Sequence, residues 1–309
     1  MLTVFASLVP VFLLIVLGYA LRRILLPKDD HWIGLEQLVY YVLFPALLID
    51  ALGRANLSSV PVTGVGGAVL LSVLAMATLC LALRPLLGKT MALDGPAFTS
   101  VFKGAVRWQT FVALSVAGNL FGDLGLALAS VAMVAMIPVI NILSVSVLAH
   151  YASPQKMSWR FTLGAIARNP IIWGCVIGIA LNLSHLPVPR PLYEFAGSLG
   201  RCSLAIGLLV VGAGLHLEGL FRPRPAAVLA VFLKLIIMPV MAISLGVAFG
   251  LSGSNLAVVA CCASVPSASN AYVLARQMGG DAPLLAQILT WQTALAVLTM
   301  PVFITFAGR

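Results

Sequence analysis

Apolar runs of about twenty residues recur along this chain from Thr3 to Phe306, each long enough to cross a hydrocarbon layer of about 30 Å as a helix. Of the 309 residues, 61% are hydrophobic and 9% charged, against roughly 25% charged in an ordinary soluble domain. A soluble core cannot absorb that excess. The composition therefore predicts a polytopic membrane protein in contact with the lipid bilayer. Strand-like alternation is absent, and backbone amides in lipid need partners within their own segment, so an all-α helix bundle is favoured over a barrel.

The formal charge of +9 does not point to nucleic acid, because the 18 Lys and Arg are scattered between apolar spans rather than gathered on one soluble face. The five cysteines all fall inside apolar runs without CxxC or ligand spacing, which predicts small packing residues and no metal. The first span lacks a basic start and leads directly into Arg22 and Arg23, as expected for a retained helix rather than a cleaved signal peptide.

Polar and Gly/Pro punctuation divides the chain into ten predicted helices: Thr3 to Leu21, Gln37 to Leu52, Val62 to Leu83, Phe98 to Leu120, Gly125 to His150, Phe161 to Leu183, Leu192 to Leu217, Ala226 to Leu251, Leu256 to Met278, and Pro283 to Phe306. The loops after helices 1, 3, 5 and 7 carry Arg22, Arg23, Lys28, Arg84, Lys89, Lys156, Arg160, Arg222 and Arg224, whereas the opposite loops offer little beyond Arg54, Arg190 and Arg309. By the positive-inside rule the first set is cytoplasmic and both termini lie outside a cytoplasmic, multi-pass membrane.

A self-comparison adds an internal repeat. PVFLLIVLGYAL from Pro10 aligns with PIIWGCVIGIAL from Pro170, and IPVI around Pro138 resembles MPVF around Pro301. This predicts two five-helix halves, residues 1–150 and 151–309, with no soluble domain. An odd number of spans per half makes the second half inverted, as in many secondary transporters.

Helices 4 and 9 correspond in that repeat and are the most polar. ASVPSASNAY, Ala263 to Tyr272, interrupts helix 9. Pro266 removes a helical hydrogen bond, and Ser264, Ser267, Ser269 and Asn270 either bond back to their own turn or face a polar solute. In helix 4, Lys103 and Arg107 share a face. Lys103 is near an end and able to snorkel, whereas Arg107 lies roughly 14 Å into the span at 1.5 Å per residue. Gln109 and Thr110 follow. Lys234 in helix 8 is similarly deep, and helix 5 places Asn141 after Pro138. The candidate intramembrane carboxylate is Asp50, close enough to Arg54 to pair with it. Buried cations without buried carboxylates point to an anionic substrate. Alternatively, they bond to carbonyls that broken helices expose and touch no substrate. Asn119 reads as a helix cap and Asn169 as a helix start.

Six stretches in order then resemble the auxin efflux carrier family, within the wider superfamily that includes bile acid symporters: LVPVFLLIVLGYALRR, LVYYVLFPALLI, IPVINILSVSVLA, ARNPIIWGCVIGIALNL, LKLIIMPV and SVPSASNAYVLARQMGG. The resemblance implies ten helices in two inverted halves, broken helices 4 and 9 crossing at the centre, carboxylate substrates such as malate, malonate or auxin, and homodimerisation. By position, Asn141, Pro266 and Asn270 match the family's helix 5 asparagine, its helix 9 break and the polar residue after it. Gln109 stands where bacterial members often carry an asparagine, and CSLAIG in helix 7 lacks a common proline.

The expected function is a carrier for small organic anions working by alternating access. Its site comprises Arg107, Gln109, Thr110, Asn141, Pro266, Ser267, Ser269 and Asn270, with Lys103 and Lys234 as supporting charges. No cofactor and no phosphate-binding motif is read, and no enzyme is expected because serine, base and acid are nowhere arranged together. The rival reading is a membrane receptor that binds such a ligand without moving it.

Overall fold

A computed structural model describes residues 2–55, 61–152, 164, 168–184, 188–216, 223–268 and 270–309. The predicted helix start at Phe161, Leu217 at the end of predicted helix 7, and the loop cations Lys156, Arg160 and Arg222 lie outside them. Among the described residues every regular element is helical.

In chain order they are α1 (Leu2–Ile24), α2 (Asp29–Leu38), a π turn (Val39–Leu43), α3 (Phe44–Arg54), α4 (Val62–Thr90), α5 (Gly95–Val106), α6 (Thr110–Tyr151), α7 (Pro170–Ser184), α8 (Arg190–Ala213), α9 (Pro225–Phe232), a second π turn (Leu233–Ile237), α10 (Met238–Ala248), α11 (Gly253–Ser264), α12 (Asn270–Gln277) and α13 (Ala282–Ala307). Among the described residues, seven stretches are long and apolar enough to cross a membrane. One of them, Gly95–Tyr151, counts as a single stretch although the backbone breaks within it. Large apolar side chains such as Leu13, Val16, Phe195 and Phe306 point outward, as suits a lipid solvent.

Local chemistry accounts for most helix ends. Asp94 caps α5, accepting the Ala97 N–H at 2.8 Å, and Asp281 caps α13 through the Leu284 N–H at 2.9 Å. Asn169 starts α7 as the sequence predicted, accepting from Ile171 at 3.0 Å. At the end of α3, Asn182 donates to the carbonyls of Leu52, Gly53 and Ala55. A π turn precedes each of Pro45 and Pro239, whose rings supply no N–H to the ladder. Gly122 (φ 59°, ψ −145°) joins two helical arms within α6 in a conformation that only glycine adopts readily.

Three expectations are corrected. The second helix begins at Asp29 rather than Gln37, because the polar stretch DDHWIGLEQL is helical with its acidic residues in the first turn. Asn119 is not a cap: its amide donates to the Ser7 carbonyl of α1 at 3.2 Å. Lys103 does not snorkel, being fully buried.

Packing sorts the helices into two groups. Helices α1, α3, α7 and α8 pack chiefly on one another, and the remaining long helices form the other group. Each group draws members from both sides of residue 150. Within the first group the backbones come close at small residues. A Cβ on Gly18 would overlap the Leu209 carbonyl, one on Gly212 the Ile15 carbonyl, and one on Gly178 would lie 2.9 Å from the Leu48 oxygen.

Candidate functional site

Two interrupted helices meet in the second group. The last turn of α11 ends at Val265 (φ −68°, ψ 153°), extended as expected for a residue that precedes a proline. At the end of α5, Arg107 is likewise extended (φ −72°, ψ 158°), although neither proline nor glycine stands at 107–109. That second break is held from outside its own sequence, since the Gln109 N–H donates to the Pro266 carbonyl at 2.7 Å.

Side chains complete the crossing. The Ser267 hydroxyl lies 2.6 Å from the Gly104 carbonyl and 3.1 Å from that of Arg107. Gln292 of α13 accepts the Ser267 N–H at 3.0 Å and donates to the carbonyls of Gly104 at 2.8 Å and Ala230 at 3.3 Å. The Lys103 ammonium donates to the Ala271 carbonyl in the first turn of α12 at 3.0 Å. Carbonyls freed by the breaks thus find donors, as buried backbone requires at this depth.

The predicted site residues are distributed as follows. Gln109, Pro266 and Ser267 are buried at the crossing, and Arg107 and Thr110 beside them are partly buried. Arg107 is electrostatically coupled to Tyr40 in the first π turn, which brings the cation to the seam between the two helix groups. Asn141 is partly buried in the second arm of α6. Ser269 lies outside the described residues; Asn270 is described in its backbone, where it opens α12. Lys234 is fully buried in the second π turn. Ser264 bonds back to the Ala260 carbonyl of its own turn at 2.7 Å.

Gln292 was missed in the sequence. Its one signal was an amide within the apolar run of the last helix, and which neighbour it meets depends on helix rotation that no local pattern states.

A cavity of about 530 Å³ lies away from the crossing, lined by Asp50, Arg54, Asp123, Glu194, Ser198 and Arg201 among others. Arg54 pairs with Asp50 at 2.6 Å, and Arg201 donates to the Ser198 hydroxyl at 3.0 Å. The chain runs from Pro96 through the break to Asp123 at this cavity, and the Pro96 end is tied to the start of α13. There the Ser100 hydroxyl donates to the Asp281 carbonyl at 2.8 Å, the Asp281 N–H to the Pro96 carbonyl at 3.3 Å, and Arg224 pairs with the Asp281 carboxylate.

An all-helical bundle with apolar outer faces and two interrupted helices hydrogen-bonded to each other in its interior is a multi-pass membrane protein. A family model described as "Membrane transport protein" matches residues 153–304. The chain is also 28% identical over 303 residues to an "Uncharacterized transporter" of Methanothermobacter thermautotrophicus (strain Delta H), covering 95% of each chain. Both similarities are to membrane transport proteins, the family model over the second half of the chain and the relative over nearly its whole length, in line with the resemblance read from the sequence.

Proposed function

We propose that the protein is a secondary transporter of small organic carboxylate anions, such as malate, malonate or auxin-like acids, working by alternating access across the cytoplasmic membrane. In this reading the kink at Gly122 divides α6, and the elements compose ten crossings in two inverted five-helix halves, 1–150 and 151–309, with both termini outside. The observation that carries it is the hydrogen-bonded crossing of two broken helices at Gln109 and Pro266. Broken helices of this kind form substrate sites in secondary transporters.

The charge balance supports an anion. Lys103 and Lys234 are fully buried and Arg107 partly so, whereas no carboxylate is buried among the described residues. The Thr110 and Asn270 ends are helix N-termini, which favour negative charge. In this reading Arg107 supplies the local positive potential, Gln109, Thr110, Asn141, Ser269 and Asn270 supply polar contacts, and Pro266 and Ser267 hold the backbone open. Lys103 acts from behind by fixing α12. An open cavity at one end and a hydrogen-bonded tie at the other suit one state of an alternating cycle. A homodimer within the bilayer belongs to the same reading.

Purified protein reconstituted alone in liposomes tests this with radiolabelled malate, malonate and indole-3-acetate. Accumulation above protein-free liposomes supports a carrier; saturable binding without accumulation would leave only a receptor.

A further inference from the structure

The amine of Lys234 stands alone in a crowded polar neighbourhood. Its side chain is 0% exposed, and Nζ makes no hydrogen bond with any described residue. Donors on elements packed against its π turn are committed elsewhere: Lys103 of α5 to Ala271, and Gln292 of α13 to Gly104 and Ala230. The π turn that carries Lys234 packs against α5, α11 and α13 as well as its own flanking helices. Those elements present few ionisable groups. On α5 there is Lys103, with Arg107 just beyond its end; on α11 there are the thiols of Cys261 and Cys262; α9, α10 and α13 contain none.

An ammonium kept from water with no anion beside it is strongly disfavoured, whereas an uncharged amine costs only the desolvation of a polar group. This position therefore tolerates charge when negative charge arrives nearby. Cys262 lies in the last turn of α11, which leads through Val265 and Pro266 to Ser267 at the crossing. The amine and the proposed anion site are thus joined through one short half-helix.

We propose that Lys234 is a proton-binding site coupled to the anion site, so that one proton enters with each carboxylate and leaves with it. An O–H bond of hydronium breaks as the N–H bond to the Nζ lone pair forms, leaving water, and the reverse releases the proton. By linkage, anion and proton each raise the other's affinity by the same factor. The inference rests on the carboxylate-carrier reading and adds a co-transported ion to it.

The test uses purified full-length protein in liposomes containing a trapped pH-sensitive dye, with malate or malonate added outside at equal pH. Both are dianions that do not cross lipid unaided. Wild type should acidify the lumen by one proton per anion taken up. In thermal-shift titrations its apparent Kd should rise about tenfold per pH unit on the alkaline side. Lys234→Arg, which keeps a fixed charge, should bind the anion with no such slope and produce no acidification. Lys234→Met, which takes up no proton, should bind at least tenfold more weakly than wild type at acidic pH and show no slope, the two converging as pH rises. Anion uptake by wild type without acidification would overturn the inference and leave the carrier intact, as would acidification that persists in Lys234→Arg. A wild type that carries neither dianion leaves nothing for the proton to accompany, and the inference falls together with the dicarboxylate reading.

Discussion

Ser267 donates its hydroxyl to the carbonyl of Arg107 at 3.1 Å, and the two residues stand 160 apart in the chain. The same offset aligns Pro10 with Pro170 in the sequence. Two residues separated by that offset are therefore in direct contact at the place where the two broken helices meet.

Gln292 holds that meeting point from a third helix. Its replacement by Leu would leave the Ser267 N–H without its side-chain acceptor and remove one donor each from the Gly104 and Ala230 carbonyls. A buried group left unsatisfied costs about 1–3 kcal/mol. Gln292→Leu should lower the thermal midpoint in detergent clearly, whereas replacing the exposed Gln37 by Leu should not. An unchanged midpoint for Gln292→Leu would mean that the bridge contributes nothing.

How far the sequence reached differs between the two breaks. The one in helix 9 was legible locally, because Pro266 both lacks an N–H and forces Val265 to be extended. The one in helix 4 has no breaker at 107–109 and was legible only through the repeat, since its cause is a partner 157 residues away, from Gln109 to Pro266. Cations at depth were visible from composition, but Lys103 bonded to a carbonyl and Lys234 unpartnered were indistinguishable until the tertiary structure paired one of them. The start of helix 2 was missed because an apolar window cannot see polar helical turns such as DDHWIGLEQL.

Close backbone contact between α1 and α8 gives a second prediction. A side chain at Gly212 would overlap the Ile15 carbonyl, whereas a Cβ at Gly34 meets nothing within 4 Å. Gly212→Val should reduce the folded yield and thermal midpoint sharply. Gly34→Ala should be neutral or stabilising by up to about 1 kcal/mol, because alanine is the better helix former. Equal effects would refute the packing.

At the start of α13, the Asp281 side chain has two tasks and that of Arg224 one. The ion pair is partly exposed, so it contributes at most about 1 kcal/mol, while Asp281 also caps the Leu284 N–H. Asp281→Ala should therefore destabilise more than Arg224→Ala by about 1 kcal/mol, the typical value of an N-cap. Asp281→Asn should restore much of the difference, and chemical denaturation of the three variants reads it directly.

The orientation rests on the charge asymmetry of the loops, including Arg22, Arg23 and Lys89 against Arg54 and Arg190. Alkaline phosphatase fused after Arg309 should be active in a Gram-negative host, and the same enzyme fused after Lys89 should be inactive. The reverse pattern would invert the proposed topology.

The central claim is that positive charge at the crossing of α5 and α11 draws a carboxylate into the interior. Malate flux into liposomes containing wild type or Arg107→Gln at matched protein content measures this most directly. A charge-assisted contact contributes about 1.5–3 kcal/mol, so the variant should lose about tenfold or more in flux at low substrate while keeping its thermal midpoint. Normal flux in Arg107→Gln would contradict the account.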